Sequence, residues 1–159
     1  MSNIVLDAGE VYVGGSTVMY GPDDYWYALR YARGTRSYEQ VFVSRRLVGL
    51  IALGLGDVRG DQRKEIVAAQ ENGTVVLFDQ RSRAELATFS VAANGLAGMA
   101  LRDLDGDGKQ EILLTTWSAY GNTLYVLAGD GSLLWQLVGG GGYDVTVGNM
   151  DADPSLEIA

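Results

Sequence analysis

The sequence predicts an all-β fold built from repeated four-stranded units. Short apolar and β-branched runs alternate with turn signals, and glycine supplies 22 residues against two prolines. No alternation of helical and strand patterns interrupts them, which argues against an α/β fold. One polar segment also recurs at a fixed spacing of 46 residues: 57–65, 103–111 and 149–157. Each copy follows an apolar run and closes on Glu-Ile. A fixed period of roughly 20–50 residues marks a repeat architecture, and four strands fit within each period.

Taken in order, Ile4–Ala8 and Glu10–Val13 read as two strands meeting at Gly9, with Ser16–Tyr20 continuing the sheet. Gly21-Pro22-Asp23-Asp24 is a turn. The run Tyr25-Trp26-Tyr27-Ala28-Leu29-Arg30-Tyr31 follows, and six of the nine tyrosines lie within the first 38 residues. Two readings stand for Tyr25, Trp26 and Tyr27. They pack between sheets, or they form a stacking platform for a glycan or a partner's side chains.

Tyr38–Ser44 reads as an outer strand and Val48–Leu55 as a buried innermost one. Glu65–Ala69, Thr74–Asp79 and Glu85–Val91 complete that unit. Ala97–Leu104, Glu111–Trp117, Thr123–Ala128 and Leu133–Val138 form the next, with Gly129-Asp130-Gly131 as a hairpin turn. Gly139–Gly142 reads as a flexible connection, and Asp144–Asn149 as the last innermost strand.

The recurring polar segment carries the chemistry. In 103–111, Asp103, Asp105 and Asp107 occupy positions 1, 3 and 5, Gly108 position 6, and Glu111 position 9. Hard oxygen ligands at this density suit Ca²⁺, with Lys109 contributing its backbone carbonyl. An EF-hand starts similarly but needs a Glu at position 12 and flanking helices. Position 12 here is Leu114, and the flanks read as strands. A metal-free Asp-Gly turn is the simpler alternative, but four carboxylates within nine residues repel one another without a cation.

The other copies depart from this pattern. In 149–157, Asn149, Asp151, Asp153, Ser155 and Glu157 offer a comparable set, with Pro154 at the glycine position. In 57–65, Arg59 stands at position 3 and Gln62 at position 6. A guanidinium there repels a cation and is expected to neutralise Asp57, Asp61 or Glu65, leaving this copy metal-free.

These residues resemble the FG-GAP (VCBS-type) repeat of integrin-alpha-like β-propellers, in which such a loop joins the first two strands of a blade and binds Ca²⁺. The resemblance extends as a repeat pattern over nearly the whole chain. It implies a single calcium-binding β-propeller domain over residues 1–159, with three four-stranded blades per chain. It also implies a role in recognition or adhesion, at the cell surface or outside the cell.

Composition limits the alternatives. A hydrophobic fraction of 47% supports a packed core, and a formal charge of −8 argues against nucleic acid or an anionic membrane as the main partner. Cysteine is absent, which excludes disulfides and thiol chemistry. The first nine residues do not read as a signal peptide, and no apolar run is long enough for a membrane span.

Histidine is absent too, which removes Ser-His-Asp, Cys-His and histidine–metal catalysis. No phosphate-loop motif occurs, and the conspicuous carboxylates all belong to the repeated loops. The expectation is a non-catalytic interaction scaffold. A glycan-binding propeller is the alternative, and a polysaccharide-acting enzyme a more distant one.

The ends suggest an assembly. Residues 149–159 begin a unit, and Asn3-Ile4-Val5-Leu6 resembles a second strand able to complete it. This predicts a circularly permuted, composite last blade. Because three blades are too few to close a ring, it also predicts a homodimer with six blades. A piece of a longer propeller, or an open arc capped by the tyrosine-rich segment, is the competing expectation.

Overall fold

A computed structural model describes residues 4–15, 24–153 and 155–159. The expected strand at Ser16–Tyr20, most of the turn after it, and Pro154 lie outside the described residues.

The fold is all-β, with fourteen strands among the described residues. Strands β1 (Ile4–Asp7), β2 (Glu10–Gly14), β3 (Trp26–Ala32) and β4 (Ser37–Val43) pair antiparallel in chain order. Strands β5 (Ile51–Gly56), β6 (Glu65–Gln70), β7 (Thr74–Asp79) and β8 (Glu85–Ser90) repeat this arrangement. So do β9 (Leu96–Arg102), β10 (Glu111–Thr116), β11 (Thr123–Leu127) and β12 (Leu133–Val138). A two-stranded ribbon of β13 (Val147–Gly148) and β14 (Glu157–Ile158) ends the series. No sheet closes on itself.

The apolar pattern explains each strand's place. Strands β6 and β10 bury all six residues, as near-continuous apolar runs do when both sheet faces are covered. The fourth strands β4, β8 and β12 are largely exposed at the sheet edges. The recurring loops 57–64 and 103–110 join the first two strands of the second and third sheets, and 149–156 joins β13 to β14.

The sheets stack face to face. Tyr12, Trp26 and Ala28 of the first meet Ile51, Ile66 and Phe78 of the second. The second sheet's opposite face, with Val67, Ala69 and Leu77, packs on Ile112, Leu114 and Leu127 of the third. Beyond the third sheet, Leu113, Leu124 and Val126 lie under Val145 and Val147.

Polar contacts tie the first sheet to the second. Glu10 accepts hydrogen bonds from Tyr12, Arg30 and Arg83, and Lys64 pairs with Asp7 at 2.6 Å. Burial pushes the Glu10 carboxyl up, but the Arg30 and Tyr12 hydrogen bonds and the Arg83 charge outweigh it, holding its pKa below the ordinary value.

Two expectations change. The composite last blade is not formed: β1 to β4 already make a complete four-stranded sheet, and β13–β14 remains a separate ribbon. The physical reason is that β1 finds its partner in β2, one short turn away at Ala8-Gly9, with both residues at positive φ. A local hairpin of this kind closes at small entropic cost. Secondly, a turn of 3-10 helix at Ser118–Tyr120, ended by Gly121 at φ +95°, stands where no helix was expected.

Candidate metal centre

The first two recurring loops share one hydrogen-bonding scheme, and the third shares it at positions 5 and 9. In the first, Asp57 accepts from the amides of Gly60 (2.6 Å) and Gln62 (2.7 Å). In the second, Asp103 accepts from Gly106 (2.7 Å) and Gly108 (3.0 Å) at the same positions. The closing glutamate caps the loop's second residue in every copy. The amides of Val58, Leu104 and Met150 donate to Glu65, Glu111 and Glu157, at 3.1, 2.8 and 2.6 Å.

Position 5 follows the same rule. The amides of Arg63, Lys109 and Ser155 donate to Asp61, Asp107 and Asp153. The loop backbone is therefore set by carboxylates accepting from amides, a local Asx-type bonding that needs no particular side chain at position 3.

What differs is where the remaining carboxylate oxygens point. In the second loop Asp103, Asp105 and Glu111 bring ligand atoms within 4.8 Å of one another, and in the third Asp151, Asp153 and Glu157 do the same. Each carboxylate oxygen has two lone pairs, so one bond from an amide leaves capacity for a cation. Hard oxygens at this spacing match the donor chemistry of Ca²⁺. The first loop forms no such group among the described residues.

Burial raises the Glu111 carboxyl above its ordinary pKa despite the Leu104 amide, with repulsion from Asp105 and Asp107 adding to the effect. Burial also raises Glu65, against the bond from Val58.

Several candidates sit differently from expectation. Asp107 stands outside the converging group, accepting from the Lys109 ammonium at 3.0 Å. The Lys109 amide and ammonium hold its pKa below the usual value. Asn149 donates through its side-chain amide to the Asp153 carbonyl.

Arg59 makes no ion pair with Asp57, Asp61 or Glu65 among the described residues. It lines a cleft between the second and third sheets, with Lys109 and Asp130. Its charge still acts on Glu65 at longer range, lowering that carboxyl's pKa against the larger effect of burial.

Position 6 explains how the first loop keeps its shape without glycine. Gln62 adopts φ +64°, in the left-handed region that Gly108 occupies at +89°. A side chain there costs about 1–2 kcal/mol. Gln62→Gly is therefore expected to stabilise the fold by up to about 1 kcal/mol, after the entropy that glycine loses on folding is deducted. A denaturant midpoint unchanged or lowered in this variant would contradict that geometry.

The aromatic candidates divide. Trp26 is fully buried, with ring centroids 4.7 Å from Phe42 and 5.2 Å from Phe78. It is a packing residue and presents no face for stacking. Tyr25 and Tyr27 are half-buried, 6.3 Å apart and tilted.

No protein-family model matches this sequence, and no curated protein matches it significantly.

Proposed function

We propose that this chain is a calcium-stabilised β-propeller-type interaction scaffold, with its stacked sheets as blades and no catalytic role. The observation that carries this reading is the pair of carboxylate groups on matching loops, Asp103–Asp105–Glu111 and Asp151–Asp153–Glu157. Ca²⁺ at each loop offsets carboxylate repulsion where the first two strands of a unit diverge, fixing the hairpin rather than activating a substrate. Asp107, the Lys109 carbonyl, Asn149 and Ser155 are the further donors to these sites.

The FG-GAP resemblance agrees with this placement of the loops between the first two strands. It extends the proposal to recognition or adhesion at a cell surface. The burial of Trp26 weighs against the glycan-stacking alternative.

A cation that binds only the folded state stabilises it by mass action, by about 2.7 kcal/mol at a hundredfold excess over Kd. Thermal melts with millimolar Ca²⁺ and with EDTA are expected to differ by roughly 5–10 °C for a chain of this size. Asp105→Ala is expected to remove part of that shift, and Asp105→Ala with Asp151→Ala most of it. Equal melting temperatures in Ca²⁺ and EDTA, together with no Ca²⁺ binding by calorimetry, would overturn the assignment.

A further inference from the structure

We propose that the cleft between the first and second sheets is an anion site, built to take a doubly charged oxyanion of the sulfate or phosphate type. The site goes beyond the scaffold reading above and needs no calcium in the loops.

The recurring loop marks the place. At positions 3, 7 and 8 the second copy carries Asp105, Lys109 and Gln110, and the third Asp151, Ser155 and Leu156. The first copy carries Arg59, Arg63 and Lys64 instead. The neighbouring β7–β8 turn adds Arg81 and Arg83, where the β11–β12 turn of the third sheet holds Asp130 and no basic residue. The copy without converging carboxylates is thus the one that gathers cations.

Arg59 faces the other cleft, toward the third sheet. The remaining four line one cleft against the first sheet, in two lobes that share Gln80 and Arg81. The smaller lobe, about 170 Å³, is also bounded by Gln62, Arg63, Lys64 and Asp79. The larger, about 450 Å³, is walled by Asp7, Glu10, Tyr12, Arg30 and Arg83.

The carboxylates on this cleft are already engaged. Glu10 accepts from Tyr12, Arg30 and Arg83, and Asp7 from Lys64 (2.6 Å) and Gln80 (2.7 Å). Asp79 accepts from the Arg81 and Ser82 amides and the Ser82 hydroxyl. Asp57, Asp61 and Glu65 take amides of their own loop and line neither lobe. Five cations against three carboxylates leave the lining with two positive charges in excess, on a chain of formal charge −8. That excess resides on Arg63 and Arg81, which make no ion pair among the described residues.

A guanidinium forks onto two oxygens of a sulfate or phosphate, and two of them on one small lobe match a dianion. The network behind them is packed. Arg83 lies over the Tyr12 ring, 5.1 Å from its centroid, and the side chains of Arg83 and Glu10 are only 13% and 11% exposed. This holds the β7–β8 turn, and with it Arg81, in place before a ligand arrives, which lowers the ordering cost of binding.

Titration calorimetry of the full chain in metal-free buffer tests this with sulfate, inorganic phosphate and glucose 6-phosphate, with glucose as the uncharged control. Saturable binding of at least one charged probe, and none of glucose, is expected. Binding of the inorganic ions alone identifies a free-ion site, and binding of the sugar phosphate alone an ester-bearing ligand. Arg63→Glu and Arg81→Glu are each expected to weaken binding about tenfold or more, through lost charge-assisted hydrogen bonds. Both side chains are exposed, so the fold is expected to survive, and thermal melts of the variants verify it. Arg33→Glu makes the same charge change on neither lobe and is expected to retain wild-type affinity.

No saturable binding of any charged probe overturns the proposal. So does binding that survives both Arg63→Glu and Arg81→Glu, and so does an equal loss in Arg33→Glu, which would signify attraction to overall charge. The Ca²⁺ shift in melting is expected to persist in Arg63→Glu, so failure of the anion site and failure of the calcium assignment are read separately.

Discussion

Trp26→Ala is expected to lower the stability of this chain by about 3–5 kcal/mol, the range for removing a buried aromatic ring from a packed core. The ring is fully buried among Tyr12, Phe42 and Phe78, where the first sheet meets the second. Both the lost transfer energy and the cavity left between the two sheets contribute. Stability changes translate to roughly 2–4 °C of melting temperature per kcal/mol at this chain length. A melt shifted by less than about 5 °C would show that Trp26 is not a core residue. Trp26→Phe is the informative companion. The indole N–H is buried without a hydrogen-bond partner among the described residues, so phenylalanine discards an unsatisfied donor while retaining most of the ring. That exchange is expected to recover more than half of the alanine loss.

Gly129→Ala is expected to cost about 3 kcal/mol, the upper part of the range for overpacking a well-packed site. A Cβ on Gly129 would fall 1.8 Å from the Val58 carbonyl oxygen and 2.7 Å from its carbon. Both atoms are backbone, so no side-chain rotation relieves the clash. The β11–β12 turn of the third sheet must then lift away from loop 57–64 of the second. Gly106→Ala is the control, because Gly106 has φ +81° but open space around its missing Cβ. It carries only the conformational cost, about 1–2 kcal/mol. Urea denaturation comparing the two variants separates collision from backbone strain, and a Gly129→Ala midpoint above that of Gly106→Ala would refute the close approach.

The repeat was legible because its signals are local. Asp103–Glu111 sets its own backbone through bonds between residues at most seven apart, and its register recurs wherever a carboxylate stands at positions 1, 5 and 9. The strands after each loop were equally plain, Thr74–Asp79 and Leu133–Val138 coinciding with their expected limits. The last innermost strand was less so. Among the described residues, Asp144–Asn149 reduces to Val147–Gly148, which pairs with Glu157–Ile158.

The role of individual side chains was harder to read, because it depends on neighbours distant in sequence. Trp26 and its flanking tyrosines look alike along the chain, yet strand alternation turns the tryptophan inward and leaves Tyr25 and Tyr27 half-buried. Arg59 occupies a ligand position by count, but its side chain lies in a cleft that exists only where the second sheet meets the third. Asp107 belongs to the motif by spacing and is drawn toward Lys109 by charge.

By itself, then, the sequence determined the all-β class, the 46-residue unit, the turn-and-carboxylate loops and the absence of histidine and cysteine chemistry. These follow from pattern, composition and bonds between near neighbours. Only the tertiary structure decided that β1–β4 form a sheet of their own and which carboxylates converge. It also decided which aromatic ring is buried, and it left apolar side chains exposed on the outward faces of the first and third sheets. Those outcomes depend on how sheet faces meet, and a residue's face is set by register against strands that its own neighbours do not specify.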